Sequence, residues 1–315
     1  MNRIMLCVAV LLGSLNGCNR QESEISPTKG HVTAIVSESH TSLLQKEADE
    51  FQRLYSTVQV TLLSATTREA IVHLFNDSVR IIIIDRALNQ EEREVAARAE
   101  INYTETKIAE DALAIVVHQE NPIKNISINS LVQIVTREVT QWSQVAESNW
   151  SGPIEFAFTG RNSGAYELLV AHFLKLQKEA VPTFLAGTQK EVLEYVTGHP
   201  RALGVVSAVC FYGMTRPKGI QDTTTATPLR VLAVQQKDST ATDEYVKLHQ
   251  ANVYRGFYPL HYGVYIYYTR SDKRDLGPEL GFTTFVASHP GQKIIMDAGL
   301  VPATMPIRLV QINED

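Results

Sequence analysis

HVTAIVSESHTSLLQKEADEFQRLYSTVQVTLLSATTREAIVHLFNDSVRIIIID, residues 31–85, alternates two kinds of apolar pattern. HVTAIVS (31–37) and VQVTLLS (58–64) are short runs with the composition of strands. Between them Leu44, Ala48, Phe51 and Tyr55 recur at i, i+4, i+7 and i+11, which predicts a helix over 41–55. A second helical stretch over 68–76 leads into VRIIIID (79–85), which is apolar on both faces, as a central parallel strand must be. This βαβαβ order predicts an open α/β sheet.

The same grammar continues outward. ALAIVVH (112–118) reads as a strand, Asn121-Pro122 as a turn, and 128–138 as a short helix carrying Leu131, Ile134 and Val135. PIEFAFT (153–159) is a strand, followed by a polar loop that enters a helix in GRNSGAYELLVAHFLKL. Thr188 and Glu191 have capping-box spacing ahead of a helix whose Val192, Tyr195 and Val196 face inward. ALGVVSAV (202–209), TPLRVLAV (227–234) and YGVYIYYT (262–269) read as strands, and one last helix is predicted over 280–298. Neither an internal sequence repeat nor a low-complexity tract is visible.

The N-terminus gives an address. In IMLCVAVLLGSLNGC (4–18) an apolar run follows Arg3 and ends in small residues before Cys18, the order of a secretory signal peptide. The Cys after Gly17 resembles a bacterial lipobox, which implies a signal over 1–17 and lipidation of Cys18. A membrane-spanning anchor would need about 20 apolar residues, more than precede Cys18. Residues 18–29, polar and without aromatics, read as a flexible tether. The expected location is the bacterial cell envelope, lipid-anchored and periplasmic or surface-facing.

The chain has 315 residues, 44% hydrophobic and 20% charged, with a formal net charge of -5. No basic run or basic–aromatic stripe points to nucleic acid. Of three cysteines, Cys7 leaves with the signal and Cys18 is the lipid candidate, so Cys210 remains alone, read as a buried small hydrophobe. The nine histidines form no HExxH or close pair, and no phosphate-cradling Gly-x-x-x-x-Gly-Lys loop or Gly-x-Ser-x-Gly elbow occurs. An enzyme, a metal site and a cofactor are therefore not expected.

Four segments together resemble the periplasmic phosphate-binding proteins, the solute-binding components of phosphate ABC transporters. They are IAEDALAIVVHQENPIKNISINSLVQIVTREVTQWSQV (108–145), HPRALGVVS (199–207), YPLHYGVYIYY (258–268) and GQKIIMDAGLVP (291–302). The resemblance implies an α/β, two-lobe periplasmic binding protein (type II), each lobe a mixed sheet flanked by helices, with the ligand cleft between the lobes. The first lobe would comprise 30–110 plus 226–315, and the second 111–225. The implied ligand is phosphate or a similar oxyanion. The implied partners are an ABC transporter permease and the membrane, reached through the N-terminal lipid, with the chain itself a monomer.

A buried oxyanion is held by helix N-termini and hydroxyl donors, so the polar loops before helices are the candidate sites. The resemblance places Ser39, His40 and Thr41 of the first loop against the ligand; the local alternative is simple N-capping by Ser39, Thr41 or Ser42. Glu38 puts a carboxylate in the same loop. Asp85, at the end of the Ile run, would accept a hydrogen bond from a protonated oxyanion and reject fully ionised sulfate; its alternative is a surface pair with Arg86. In the third loop Ser163 and Gly164 match the family's Arg-x-x-x-Ser-Gly-Thr, while Arg161 stands two residues before the serine and Ala165 replaces the threonine. Arg161 would partner Asp85 or the ligand, or else be a solvated arginine. These departures leave a second reading open: a lipoprotein that keeps the fold as a sensing or interaction module with an altered ligand site.

Overall fold

The computed structural model describes residues 26–215, 228–235, 244–270 and 277–304. The expected signal 1–17, Cys18 and the tether up to residue 25 lie outside them.

The first part runs β1 (Gly30–Ser37), a 3-10 turn (Glu38–His40), α1 (Thr41–Leu54), β2 (Val58–Ala65), α2 (Thr67–Phe75), β3 (Ile81–Ile84), α3 (Gln90–Arg98) and the long β4 (Tyr103–His118). The middle adds β5 (Asn125–Ile126), α4 (Ile128–Val135), β6 (Glu155–Thr159), α5 (Gly164–Tyr166) continuing as a π-helix (Glu167–Phe173), β7 (Phe184–Ala186), α6 (Gln189–Gly198), β8 (Ala202–Ser207) and α7 (Ala208–Thr215). The rest contains β9 (Leu229–Val231), β10 (Ala233–Gln235), β11 (Tyr245–Val246), α8 (Gln250–Tyr254), β12 (His261–Thr269), α9 (Pro278–Ala287), α10 (His289–Asp297) and β13 (Val301–Pro302).

The strands join in the order β2-β1-β3-β12-β4-β8-β6-β7. Two parallel sets, β2-β1-β3 and β7-β6-β8, flank a central antiparallel pair, β12 and β4. Each set has its first strand in the middle, so two halves of equal topology meet without any visible sequence repeat. β4 belongs to both halves. Residues 103–112 pair with β12, and from Leu113 onward the strand pairs with β8 and β9. The four isoleucines of β3 are fully buried, as expected for a strand covered on both faces.

Several expectations are corrected. β4 starts nine residues before the predicted 112, because 103–107 are half-buried or exposed and 103–110 lacks the continuous apolar run that marks 112–118. The single C-terminal helix is two, broken at Ser288: Pro290 has no N–H to give and disfavours helical geometry just before it. TPLRVLAV splits into β9, on β4, and β10, on β5, so this stretch pairs with strands of the 111–225 region and not with those of 30–110. Thr188 does cap α6 through Glu191 N (3.2 Å), but the Glu191 carboxylate returns to Gly187 N (2.9 Å), not to Thr188 N. Full capping boxes occur instead at Thr66/Glu69 and Asn89/Glu92. The end of the expected tether is docked: Thr57 Oγ1 donates to Thr28 O (2.6 Å), and a Cβ added at Gly281 would fall 1.9 Å from Pro27 O.

The α1 stripe packs as predicted, with Phe51 5.6 Å from Phe282 and 5.3 Å from Phe285 of α9, although Tyr55 at its end is 39% exposed. Glu47 lies on the buried face of the same helix, fully buried, and neither carboxylate oxygen has a hydrogen-bond partner. Burial pushes its pKa up to about 9. Because the folded-state value is raised, the native state favours the protonated form, and stability falls as pH rises from the unfolded carboxyl value towards 9. Glu47→Met is expected to stabilise the protein, on the order of 2 kcal/mol at pH 8 and less at pH 5, as read by urea unfolding.

Candidate functional site

The ends of β1, β3 and β8 and the starts of α2, α5 and α6 converge on the junction in β4, the place where open α/β sheets bind ligands. At its centre lies His40, fully buried. Its Nδ1 is 2.8 Å from Asp85 Oδ1 and its Nε2 is 3.0 Å from Asp111 Oδ2. Ser37 Oγ also donates to Asp85 Oδ1. Asp111 receives the Tyr262 hydroxyl on Oδ2 (2.9 Å) and the Ala112 amide on Oδ1 (2.7 Å). Burial works against the charged ring, but the two carboxylates outweigh it and raise the His40 pKa to about 10. His40 is therefore an imidazolium at neutral pH, donating from both nitrogens.

Asp85 Oδ2 is the exception in this network. It is buried, has no hydrogen-bond partner, and occupies the space that a Cβ on Gly164 would need, 2.2 Å away. Asp85 lines a cavity of about 160 Å³ together with Thr67 and Gly164. Thr67 Oγ1 is likewise buried without a partner. Gly164 and Ala165 open the helical segment behind Ser163, ahead of its first backbone bond from Glu167 N to Ser163 O (3.2 Å). Unpaired N–H groups at such a start favour an anion.

Arg86, Glu167 and His172 lie on another side of the cavity. Arg86 does not pair with Asp85. Its guanidinium is held by Glu92 (2.8 Å) and Glu167 (2.9 Å), and these carboxylates raise its pKa further against the opposing effect of burial. The Arg86–Glu167 pair joins the β3 loop to the π-helix across the two halves.

A second cross-connection runs through Gln189. Its side-chain N–H donates to Ser39 Oγ (2.7 Å), and its carbonyl accepts from Ser207 N (2.6 Å) and Ser207 Oγ (2.9 Å). Gln189 N also points to Glu38 Oε1 (3.4 Å), so Glu38 sits at the N-terminus of α6 and not in solvent. Burial raises its pKa, opposed by that backbone hydrogen bond.

The sequence-predicted residues are thus partly brought together. Ser39, His40, Asp85 and Gly164 meet at the junction. Ser163 caps the following helix through Tyr166 N (3.1 Å) and bonds Thr159 Oγ1. Thr41 opens α1 and bonds Ser37 O (3.3 Å) and Ser64 Oγ (3.4 Å); of the caps considered, none forms, and α1 starts behind His40 without a side-chain cap. Arg161 is apart from the cluster, exposed and paired with Glu179. Cys210 is half-buried, with its thiol pushed up to about 12 by burial, and so remains protonated.

Missing from the sequence reading were Thr67, Gln189, Ser207, Asp111 and Tyr262. The available signals were slight: a helix-start position for Thr67 and Gln189, and a lone Asp in the apolar run AEDALAIVV. Among the described residues no group of His, Cys, Asp or Glu is arranged to hold a metal ion, and no helix is long and apolar enough to cross a membrane.

The raised His40 pKa contributes stability that is fully present below the unfolded imidazole value of 6.5 and is lost as pH rises towards 10. The thermal midpoint is therefore expected to fall from pH 7 to 10 in the wild type, with a shallower slope in His40→Gln. Gly164→Ala, whose new methyl would displace Asp85 Oδ2, is expected to keep the fold by circular dichroism while reorganising the cavity, seen as loss of any anion-induced thermal shift.

The PBP superfamily domain matches residues 21–289 of the chain. Among curated proteins, Protein SphX of Synechococcus elongatus is 27% identical over 284 residues, covering 89% of this chain and 79% of its own length. The phosphate-binding protein PstS of Pseudomonas aeruginosa is 24% identical over 304 residues, covering 92% and 88%. Among solved structures, an ABC-type phosphate transport receptor from Vibrio cholerae aligns with TM-score 0.64 at 19% identity, over 87% of this chain and 100% of that one. PstS from Borrelia burgdorferi aligns with TM-score 0.57 at 20% identity, over 87% and 99%. These structures share the mixed α/β architecture with helices flanking the sheets. With a domain match that covers most of its length, the chain belongs to the PBP superfamily.

Proposed function

We propose that this protein is a solute-binding protein, not an enzyme, that captures phosphate outside the cytoplasm and delivers it to the permease of an ABC transporter. The observation that carries the reading is a cavity at the start of a helix lined by Asp85 and Thr67, each of which holds a buried oxygen, Oδ2 and Oγ1, without a hydrogen-bond partner. A carboxylate oxygen only accepts, whereas a phosphate at neutral pH still carries a proton to give. Thr67 Oγ1 and the first amides of the Gly164 helix supply donors to the remaining oxygens. The relatives named for phosphate binding and phosphate transport support the same ligand. The net charge of -5 opposes an anion at long range, so recognition rests on this local geometry.

In this reading the two halves of the sheet act as lobes, the second formed by 111–225 together with β9 to β11. Cys18 carries the lipid that keeps the protein at the envelope, after removal of residues 1–17. The alternative, a lipoprotein that keeps the fold as a sensing or interaction module with an altered ligand site, is not favoured, because relatives similar over most of the chain are named for phosphate binding.

Isothermal titration with phosphate and sulfate is the test. Phosphate is expected to bind with 1:1 stoichiometry and sulfate far more weakly. Asp85→Ala removes a hydrogen bond to a charged group, and is expected to weaken phosphate binding about tenfold to a hundredfold. Absence of heat and of thermal shift with millimolar phosphate would overturn the reading. Acyl-chain labelling that persists in Cys18→Ala would overturn the anchor.

A further inference from the structure

We propose that His40, which does not line the cavity, is the positioning residue that sets oxyanion selectivity: clamped between Asp85 and Asp111, it keeps Asp85 an ionised acceptor with a single oxygen aimed at the ligand. The inference rests on the phosphate reading above and deepens it.

The argument is one of counting donors. A neutral imidazole has one N–H and one lone pair. Its ring here lies within hydrogen-bond distance of a carboxylate oxygen at each nitrogen, 2.8 Å on one side and 3.0 Å on the other. A neutral ring would turn a lone pair on one carboxylate, in a place water does not reach. The imidazolium satisfies both. With it in place, Asp85 Oδ1 has donors from His40 and Ser37, Asp111 Oδ1 has the Ala112 amide, and Asp111 Oδ2 has His40 and Tyr262. Asp85 Oδ2 alone stays open.

The other ionisable groups around the pair cannot substitute for His40. Glu38 of the 3-10 turn is a further carboxyl group, its pKa raised by burial first and by Asp85 as well, and can supply no positive charge. Tyr262 of β12 and Cys210 of α7 are held protonated by burial first and by the neighbouring carboxylates second. Arg86, the nearest cation in sequence, is committed to Glu92 and Glu167. Without His40, therefore, Asp85 and Asp111 would lose the one ring that reaches both carboxylates, and Asp85 Oδ1 would keep only the Ser37 hydroxyl. A proton on Asp85 would turn its open oxygen from acceptor to donor. A donor there welcomes a fully ionised oxyanion and no longer demands a proton from the ligand.

The experiment is competitive equilibrium dialysis of labelled phosphate against sulfate, with the full-length protein, at pH 5 and pH 8. The wild type is expected to prefer phosphate at both. In His40→Gln the phosphate-over-sulfate ratio is expected to drop by about tenfold or more at pH 5 and to recover at pH 8. A merely structural role for His40 would lower affinity for both anions without this pH-dependent change of ratio, and an unchanged ratio at pH 5 in a variant that still binds phosphate overturns the proposal. Should that variant fail to fold, nitrogen NMR of the wild-type ring decides: both nitrogens protonated at pH 8 supports the proposal, and a neutral ring at pH 7 overturns it. A wild type that binds neither anion is a different result, which removes the phosphate reading and this proposal with it.

Discussion

A buried imidazolium between two buried carboxylates is the constraint on which the rest of the site depends. Three charges removed from water are tolerable only when each hydrogen-bonding position is met, because an unpaired buried charge is far more costly than a paired one. Meeting that condition ties four strands together. Ser37 ends β1, Asp85 follows β3, Asp111 lies within β4 and Tyr262 within β12. His40 reaches them from a 3-10 turn, which brings it back over the strand end in a way a regular helix start would not. The chain thereby gives up a capped α1 for an organised junction.

The two halves use matching positions for different tasks. α2 follows β2 and begins with Thr67, which faces the cavity; α6 follows β7 and begins with Gln189, which binds Ser39 and Ser207. Asp85 follows the third strand of one half and Ser207 ends the third strand of the other. One half thus supplies open polar atoms, while the equivalent atoms of the other hold the halves together. The π-helix after Gly164 serves both, since its Glu167 takes Arg86 while its neighbours line the cavity.

Local pattern carried the elements and failed at the long-range pairings. Ile81–Ile84 and the Leu44–Ala48–Phe51 stripe could be read from the chain because burial imposes a period on it. Asp85 could be placed because it ends such a run. The bond from His40 to Asp111 spans 71 residues and that from Gln189 to Ser39 spans 150, and neither leaves a periodic trace. Asp111 stands just before the apolar run that marks the strand, so local pattern does not single it out. Arg161 stands near a motif position, yet its contact is with Glu179. Glu47 shows the opposite failure: its stripe is evident, yet a carboxylate within it has no partner to explain its presence.

β4 passes without a break from one half of the sheet to the other, and Asp111 sits two residues before Leu113, where the partner changes from β12 to β8. In the proposed two-lobe reading, a rotation of one half against the other would run through this backbone segment. The joint and the charged network are therefore the same few residues. A membrane partner that senses the angle between the halves would be sensing, through one backbone segment, the arrangement of the carboxylates around His40, with no relay of intervening side chains.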